Sequence, residues 1–390
     1  MYIKKRVLVL CSILLIIVTA VLTIGAVNPF GFYGFGDFLE FSVVSRLIKN
    51  MYYDDVSSED YVNGAISGFA HGTGDPYTNY IYGEAAQEYM DDVSGSFDGI
   101  GVYIENNTDD NTITVVSAIS GTPAEEAGLV SGDKILEVAG ESYTGEQINE
   151  AVRRMKGETG TTVDISVLKA ESGEIVDLTL ERRHIDVQTV ESKLIEGTNI
   201  GYISISQFTE TTGDDFEENL TKVIGEGAKS IVLDLRNNPG GYVTAAVEVA
   251  SKFVDRGSTI VYTLDKNNEK EEYKSEGSQY NLPIVVLINQ GSASASEIVA
   301  GALRDYDLAY IIGEQSYGKG IVQSVFSIGE NIISVTIARY YTPNGDCIHD
   351  IGIAPDESIE MELSKYSMLD RLTLEQDEQL AAAVNYLNSN

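Results

Sequence analysis

Apolar and polar positions along this chain change texture repeatedly, and each texture predicts a different kind of element. After Lys4, Lys5 and Arg6, the run from Val7 to Val27 holds no charged residue, long enough to span a bilayer, which takes about 20 helical residues. A Gly- and aromatic-rich connector, NPFGFYGFGD, leads into FLEFSVVSRLIKNMYY (38–53) and SSEDYVNGAISGFAHG (57–72), both with apolar residues at helical spacing. Asp75-Pro76-Tyr77-Thr78 marks a turn, and EAAQEYMDD (84–92) predicts a third short helix. From Phe97 to Glu181 the chain becomes a series of short strands, GIGVYIE, NTITVVSAI, DKILEVAG, TTVDISVLKA and EIVDLTLERR, around one helix, TGEQINEAVRRMKG (144–157). Beyond Arg183 strand alternates with helix: NIGYISISQF, an acidic helix (212–227), KSIVLDL, YVTAAVEVASKFVD, STIVYTL and PIVVLI. Runs as continuously apolar as IVLDL and PIVVLI fit strands buried on both faces, so an α/β core with sequential crossovers is expected. The end, 364–390, reads as one or two helices, the last being LEQDEQLAAAVNYLN.

These textures divide the chain into a cytoplasmic tip and transmembrane anchor (1–28), a linker and helical region (29–95), a β-rich module (96–185), the α/β core (186–363) and a C-terminal helical segment (364–390). The apolar run closes with Thr23-Ile24-Gly25-Ala26-Val27 and lacks a small-residue cleavage site, which favours an uncleaved anchor. Its basic flank puts the N-terminus in the cytoplasm and the bulk of this single-pass chain outside the cytoplasmic membrane.

Charge narrows the partners. With 60 Asp and Glu against 26 Lys and Arg, the net charge is -34, which excludes nucleic acid and predicts repulsion from anionic lipid and wall polymers. Cys11 and Cys347 have no neighbour at disulfide or zinc spacing. Any histidine chemistry must use His71, His184 or His349, none of which has a catalytic spacing. No metal or organic cofactor is expected, and Cys347 and His349 read as turn packing.

The chemistry lies in small-residue stretches at strand ends. Asn289-Gln290-Gly291-Ser292-Ala293-Ser294-Ala295-Ser296-Glu297-Ile298 follows a buried strand and opens a helix. A serine at such a helix start meets free N–H groups and the positive dipole end, which favour a developing anion, although serine is also an ordinary cap there. Ser316-Tyr317-Gly318-Lys319-Gly320-Ile321-Val322-Gln323 sets a lysine between glycines before an alternating strand. Burial would lower its pKa from about 10.4 and let the neutral amine take a serine proton. Gln323, uncharged, can aim that lysine without keeping it protonated. A third stretch, Arg236-Asn237-Asn238-Pro239-Gly240-Gly241, can turn a backbone N–H into a site beside the N–H of Ala295, completing an oxyanion hole.

Thr122-Pro123-Ala124-Glu125-Glu126-Ala127-Gly128-Leu129 with Ser131-Gly132-Asp133-Lys134-Ile135-Leu136 resembles the PDZ family. That resemblance implies binding of protein C-termini beside an edge strand. The carboxylate loop would be Gly99-Ile100-Gly101, the edge strand Val102 to Glu105, and the groove-facing helix residues Ile148, Val152 and Met155. From Phe38 onward the chain resembles the carboxy-terminal processing proteases, the tail-specific serine peptidases of family S41. The motifs are Asp75-Pro-Tyr-Thr, Asp234-Leu-Arg-Asn-Asn-Pro-Gly-Gly, Gly291-Ser-Ala-Ser-Ala-Ser-Glu-Ile, Gly318-Lys-Gly, and Tyr341-Thr-Pro followed by Gly352-Ile-Ala-Pro-Asp356. The resemblance implies a ClpP/crotonase-like α/β core with an inserted PDZ domain, Ser294 as nucleophile in preference to Ser292 and Ser296, Lys319 as general base and Gln323 as its orienting partner. One departure is the acidic stretch Asn344 to Asp350.

The expected protein is a membrane-anchored serine endopeptidase cutting substrates with apolar C-terminal tails, with Gly240 and Ala295 holding the oxyanion. Arg153 or Arg154 would help dock the PDZ module, and the terminal helices would allow a homodimer. The alternatives are a catalytically silent PDZ scaffold of the cell envelope and a sensor or chaperone that holds tails without cutting them.

Overall fold

The computed structural model describes residues 12–16, 18–19, 35–277, 280–366 and 368–389. The expected anchor lies largely outside these residues, and among the described residues no helix is long and apolar enough to cross a membrane. The chain forms two compact units, Met1–Gly72 and Thr73–Asn390. In the first, helix Phe35–Met51 precedes helix Ser58–His71, whose Ser57 cap accepts the Asp60 N–H at 3.0 Å.

Within the second unit, the six-stranded core sheet runs Val190–Leu194, Ile200–Ile205, Ser230–Asp234, Ile284–Ile288, Ala309–Gly313 and Glu357–Ser358 in spatial order. Its first pair is antiparallel and every other pair is parallel. Alternation along the central strands explains their unbroken apolar runs. Ile231, Leu233, Val286 and Ile288 face helices Thr212–Gly225, Val243–Ser251 and Ala295–Asp305, whereas Val232, Val285 and Leu287 face Ala383 and Val384 of helix Glu378–Ser389.

The expectation of purely sequential crossovers fails at Thr259–Asp265. This strand joins a second sheet, where it pairs with Lys270–Lys274 and Asn331–Tyr341; the latter also pairs with Ile321–Ile328 and Asn79–Ile81. Its sequence, TIVYTLD, mixes polar residues among the apolar ones, suiting a sheet with one buried face. The final helix begins at Glu378, later than its apolar pattern suggests, because Asp377 accepts the Leu380 N–H at 3.0 Å as a cap. In the β-rich module, the expected helix 144–157 is a 3₁₀ turn, Gly145–Gln147, followed by helix Ile148–Met155. Strand Val102–Asn107 lies at the sheet edge there, and the module has its own core around Ile113, Ile135, Val138 and Ile165.

Candidate active site

Three loops leave the carboxyl ends of adjacent parallel strands, where open α/β sheets place their ligands. After Ser230–Asp234 comes Leu235 to Gly241, after Ile284–Ile288 comes Asn289 to Ser294, and after Ala309–Gly313 comes Glu314 to Gly320. The fold thus brings together the three stretches that carry candidate chemistry.

Side-chain bonding distinguishes the three serines. Ser292 is buried, donates its hydroxyl to Leu235 O at 2.7 Å and accepts the Asn289 N–H at 2.9 Å. Ser296 is equally buried and donates to Asn238 O at 3.0 Å. Ser294 is only partly buried and holds φ 54°, a left-handed conformation that a non-glycine residue adopts at a cost. The strained residue caps helix Ala295–Asp305, and its side chain lies beside the fully buried Tyr340 hydroxyl. Among the described residues the Ala295 N–H has no protein acceptor, as the first N–H groups of a helix often do not.

Gly240 lies directly against this site. At φ 100°, a Cβ there would sit 2.7 Å from both Ala293 O and Ser294 Cβ and 2.8 Å from Ala295 N. Only glycine fits, and Gly240→Ala should push the loop off Ser294, lowering kcat about a hundredfold at modest cost to stability; steady-state kinetics with a thermal melt would check both. The Gly240 N–H, however, does not point free into the site: it donates to Asn238 Oδ1 at 2.8 Å. The cause is local, since Asn238 folds back two residues along its own turn while its Nδ2 donates to Ile205 O at 2.8 Å. Asn237 and Asn289 tie two of the loops together: Asn289 Oδ1 accepts the Asn237 N–H, and Asn289 Nδ2 donates to Asn237 Oδ1, each at 2.8 Å.

The same loop is anchored underneath by Arg236, whose side chain is 1% exposed. All five guanidinium N–H groups find acceptors, on Asp234, Asp377 and Gln379, at 2.5 to 3.1 Å. Burial alone would lower the arginine's pKa; Asp234 and Asp377 more than offset it and hold it firmly charged.

Lys319 is half-buried, and burial lowers its pKa below the ordinary lysine value. Among the described residues its ammonium has no ion-pair partner; its Nζ lies 5.3 Å from the centre of the Tyr77 ring. Gly320 is required beside it because a Cβ would fall 2.2 Å from His349 N. The buried carboxylate of Glu297 joins the lysine and serine loops. Its Oε2 accepts the Ser294 N–H at 2.8 Å and the Lys319 N–H at 2.9 Å, and its Oε1 accepts the Gly318 N–H at 2.7 Å and the Ser316 hydroxyl at 2.6 Å. Burial raises the Glu297 pKa against the pull of these donors. The sequence reading overlooked Glu297, although Ser294-x-x-Glu297 has the spacing of a capping box.

Gln323 reaches the same neighbourhood, a cavity of about 300 Å³ lined in part by Tyr77, Tyr89, Gly240, Lys319 and Gln323. Its amide N–H groups donate to Tyr77 O at 2.7 Å and Ser334 Oγ at 2.8 Å, and among the described residues no hydrogen bond joins it to Lys319 directly.

In the β-rich module, Ile100 and Met155 are core residues at 2% and 4% exposure, while Val102, Ile148 and Val152 are partly buried beside them. Gly99 ends strand Ser96–Gly99, which pairs with Arg183–Asp186, and Gly101 follows at φ 78°. A cavity of about 670 Å³ opens at the end of helix Ile148–Met155, lined by Phe97, Val152, Arg153 and Lys156 and by helix Glu84–Ser94. Arg153 faces Glu84 at 3.4 Å across it, Lys156 pairs with Asp91 at 2.9 Å, and Arg154 pairs within the module with Glu141. His71 lies on Ser67 O of its own helix, and His184 lies on Asp98. Among the described residues no cluster of His, Cys, Asp and Glu could hold a metal ion.

The model of peptidase family S41 matches residues 199–359, a PDZ domain model residues 114–169, and a model of the N-terminal domain of the activating protease CtpB residues 36–85. The carboxy-terminal processing protease CtpA of Bacillus subtilis strain 168 is 38% identical over 324 residues, 83% of this chain and 68% of its own. A carboxy-terminal-processing protease of Bartonella bacilliformis is 38% identical over 344 residues, 86% of this chain and 77% of its own. A solved structure from Bacteroides fragilis NCTC 9343 assigned to the S41 proteases shares the fold, with a TM-score of 0.54 over 89% of this chain and 97% of that one, at 16% identity. The chain belongs to the S41 carboxy-terminal processing proteases, serine peptidases that here carry a PDZ domain and act on protein substrates.

Proposed function

We propose that this chain is a membrane-anchored, extracytoplasmic endopeptidase that works with a Ser294–Lys319 dyad. The observation that carries the dyad is Glu297 Oε2, which accepts the N–H of both residues and so holds nucleophile and base on one atom. Neutral Lys319 takes the Ser294 hydroxyl proton as Oγ attacks the peptide carbonyl. The resulting ammonium gives that proton to the leaving amine, and water resolves the acyl-enzyme by the reverse use of the same pair. Ala295 N–H receives the oxyanion, and Gly240 N–H joins it when the peptide swings off Asn238 Oδ1.

The PDZ module recruits apolar C-terminal tails by strand addition along Val102–Asn107. The uncharged run Val7 to Val27 behind three basic residues supports a single cytoplasmic-membrane anchor with the N-terminus inside. Labelling of residues beyond 35 by a membrane-impermeant reagent on intact cells checks that orientation; protection from it would reverse the assignment. Exposed Leu39, Val43 and Leu47, on one stripe of helix Phe35–Met51, support a homodimer, which sedimentation of the intact chain as a monomer at micromolar concentration would exclude.

The direct test is digestion of an unstructured protein with an apolar C-terminus, with fragments read by mass, beside Ser294→Ala and Lys319→Ala. Wild type should cut and both variants should fail while binding the tail as wild type does. Cutting by either variant at the wild-type rate would sink the dyad.

A further inference from the structure

The motif Asp75-Pro76-Tyr77-Thr78 lies far in sequence from the serine and lysine, yet the fold builds it into their site. Asp75 shapes the turn: its Oδ1 accepts the Tyr77 N–H at 3.1 Å and its Oδ2 the Thr78 hydroxyl at 2.7 Å. Thr78 Oγ1 in turn accepts the Thr336 N–H at 3.1 Å, and strand Asn79–Ile81 pairs with Asn331–Tyr341. Gln323 adds a further tie, donating its amide N–H to Tyr77 O at 2.7 Å. These bonds aim the Tyr77 ring at Lys319 Nζ, 5.3 Å away, with the His349 ring against it at 6.5 Å and 64°.

A general-base lysine in a partly dry site has two opposed needs. Its amine must be held in place, but a carboxylate close to Nζ would keep it protonated and useless as a base. Among the described residues no carboxylate pairs with Lys319 Nζ, and burial is what lowers its pKa. Glu297, from the nucleophile helix, binds the Lys319 backbone N–H, and Tyr340, from strand Asn331–Tyr341, donates to the Lys319 backbone carbonyl. Tyr317 and Asp350, from the flanking loops, and Asp75, from the turn, act on the Tyr77 phenol, whose pKa burial and Tyr317 push up to about 12. Tyr77 therefore stays neutral at working pH. An aromatic face attracts an ammonium more weakly than a carboxylate does, so it can seat the lysine and still let it titrate.

We propose that Tyr77 is a positioning residue for the general base: its ring seats Lys319 Nζ and steadies the ammonium that forms when Ser294 loses its proton. This rests on the Ser294–Lys319 reading, and it draws a motif distant from both residues into the same machinery.

The test uses the full chain as wild type, Tyr77→Leu and Tyr77→Phe. Competitive labelling with trace acetic anhydride across pH, read by mass on the Lys319 peptide, reports the lysine pKa without any need for turnover. The acid limb of kcat/KM against pH reports it in catalysis. The ring favours the charged amine, so its loss in Tyr77→Leu should lower the Lys319 pKa by about 0.4 to 1.5 units and move the acid limb to lower pH by the same amount. On the plateau kcat should fall by more than KM changes. Tyr77→Phe keeps the ring face and should track the wild type more closely on both readouts. An unchanged Lys319 labelling profile in Tyr77→Leu, or Tyr77→Phe shifting as far as Tyr77→Leu, overturns the inference while leaving the dyad intact. No cleavage by the wild type at any pH overturns the dyad, and the base role of Lys319 with it.

Discussion

Glu297→Ala should reduce kcat about a thousandfold, although Glu297 is remote from any substrate bond. The buried carboxylate gathers the Ser294, Gly318 and Lys319 N–H groups and the Ser316 hydroxyl. Truncation leaves these donors without an acceptor in a buried site, at roughly 1 to 3 kcal/mol each. The loops respond by moving, and displacing a nucleophile or a preorganised donor by about an ångström is worth a factor of ~100 or more. Glu297→Gln should be nearly as harmful, because its amide offers one acceptor oxygen and presents N–H groups to the other donor pair. Steady-state kinetics on both variants, with near-UV circular dichroism to confirm packing, would decide the matter. Activity within tenfold of wild type in Glu297→Gln would show that the carboxylate's charge and second oxygen are dispensable.

Asp377→Ala should cost stability heavily, about 3 to 5 kcal/mol in denaturant unfolding of the core. Asp377 accepts two of the five Arg236 N–H groups, and its loss strands part of a guanidinium in the interior. It also cuts a tie between the C-terminal helix and the loop that carries Gly240, so turnover should fall with stability. Arg154→Ala is the internal comparison. Its partner Glu141 is exposed, and an exposed pair of this kind contributes at most about 1 kcal/mol. Similar losses in the two variants would mean that the Arg236 cluster behaves as a surface network.

The extent to which the sequence could reveal this arrangement follows from the range of each interaction. The central strands are legible because both faces are buried, so IVLDL and PIVVLI carry their environment in their own composition. The serine run and the glycine-flanked lysine are legible because close backbone approach forces small residues there, as the clash at Gly320 shows. That strand Thr259–Asp265 joins the second sheet is not legible, since a strand's pattern records which face is buried and not which neighbour it pairs with. The Gly240 N–H escaped for the opposite reason: its acceptor is only two residues away, in a side-chain torsion that no periodicity encodes. Gln323 and Tyr77, and Arg236 and Asp377, are joined only by the tertiary fold, and nothing in either local segment announces the other.

The separation of Arg236 from Asp377 also has a meaning in time. A chain emerging from the ribosome at roughly 5 to 20 residues per second presents the arginine and its glycine loop well before the aspartate 141 positions later. Until then Arg236 lacks two of its acceptors, and the sheet face formed by Val232, Val285 and Leu287 lacks the helix that covers it. The loop that carries Gly240 therefore acquires this support only after Asp377 has emerged, and every loop conformation sampled before then lacks it.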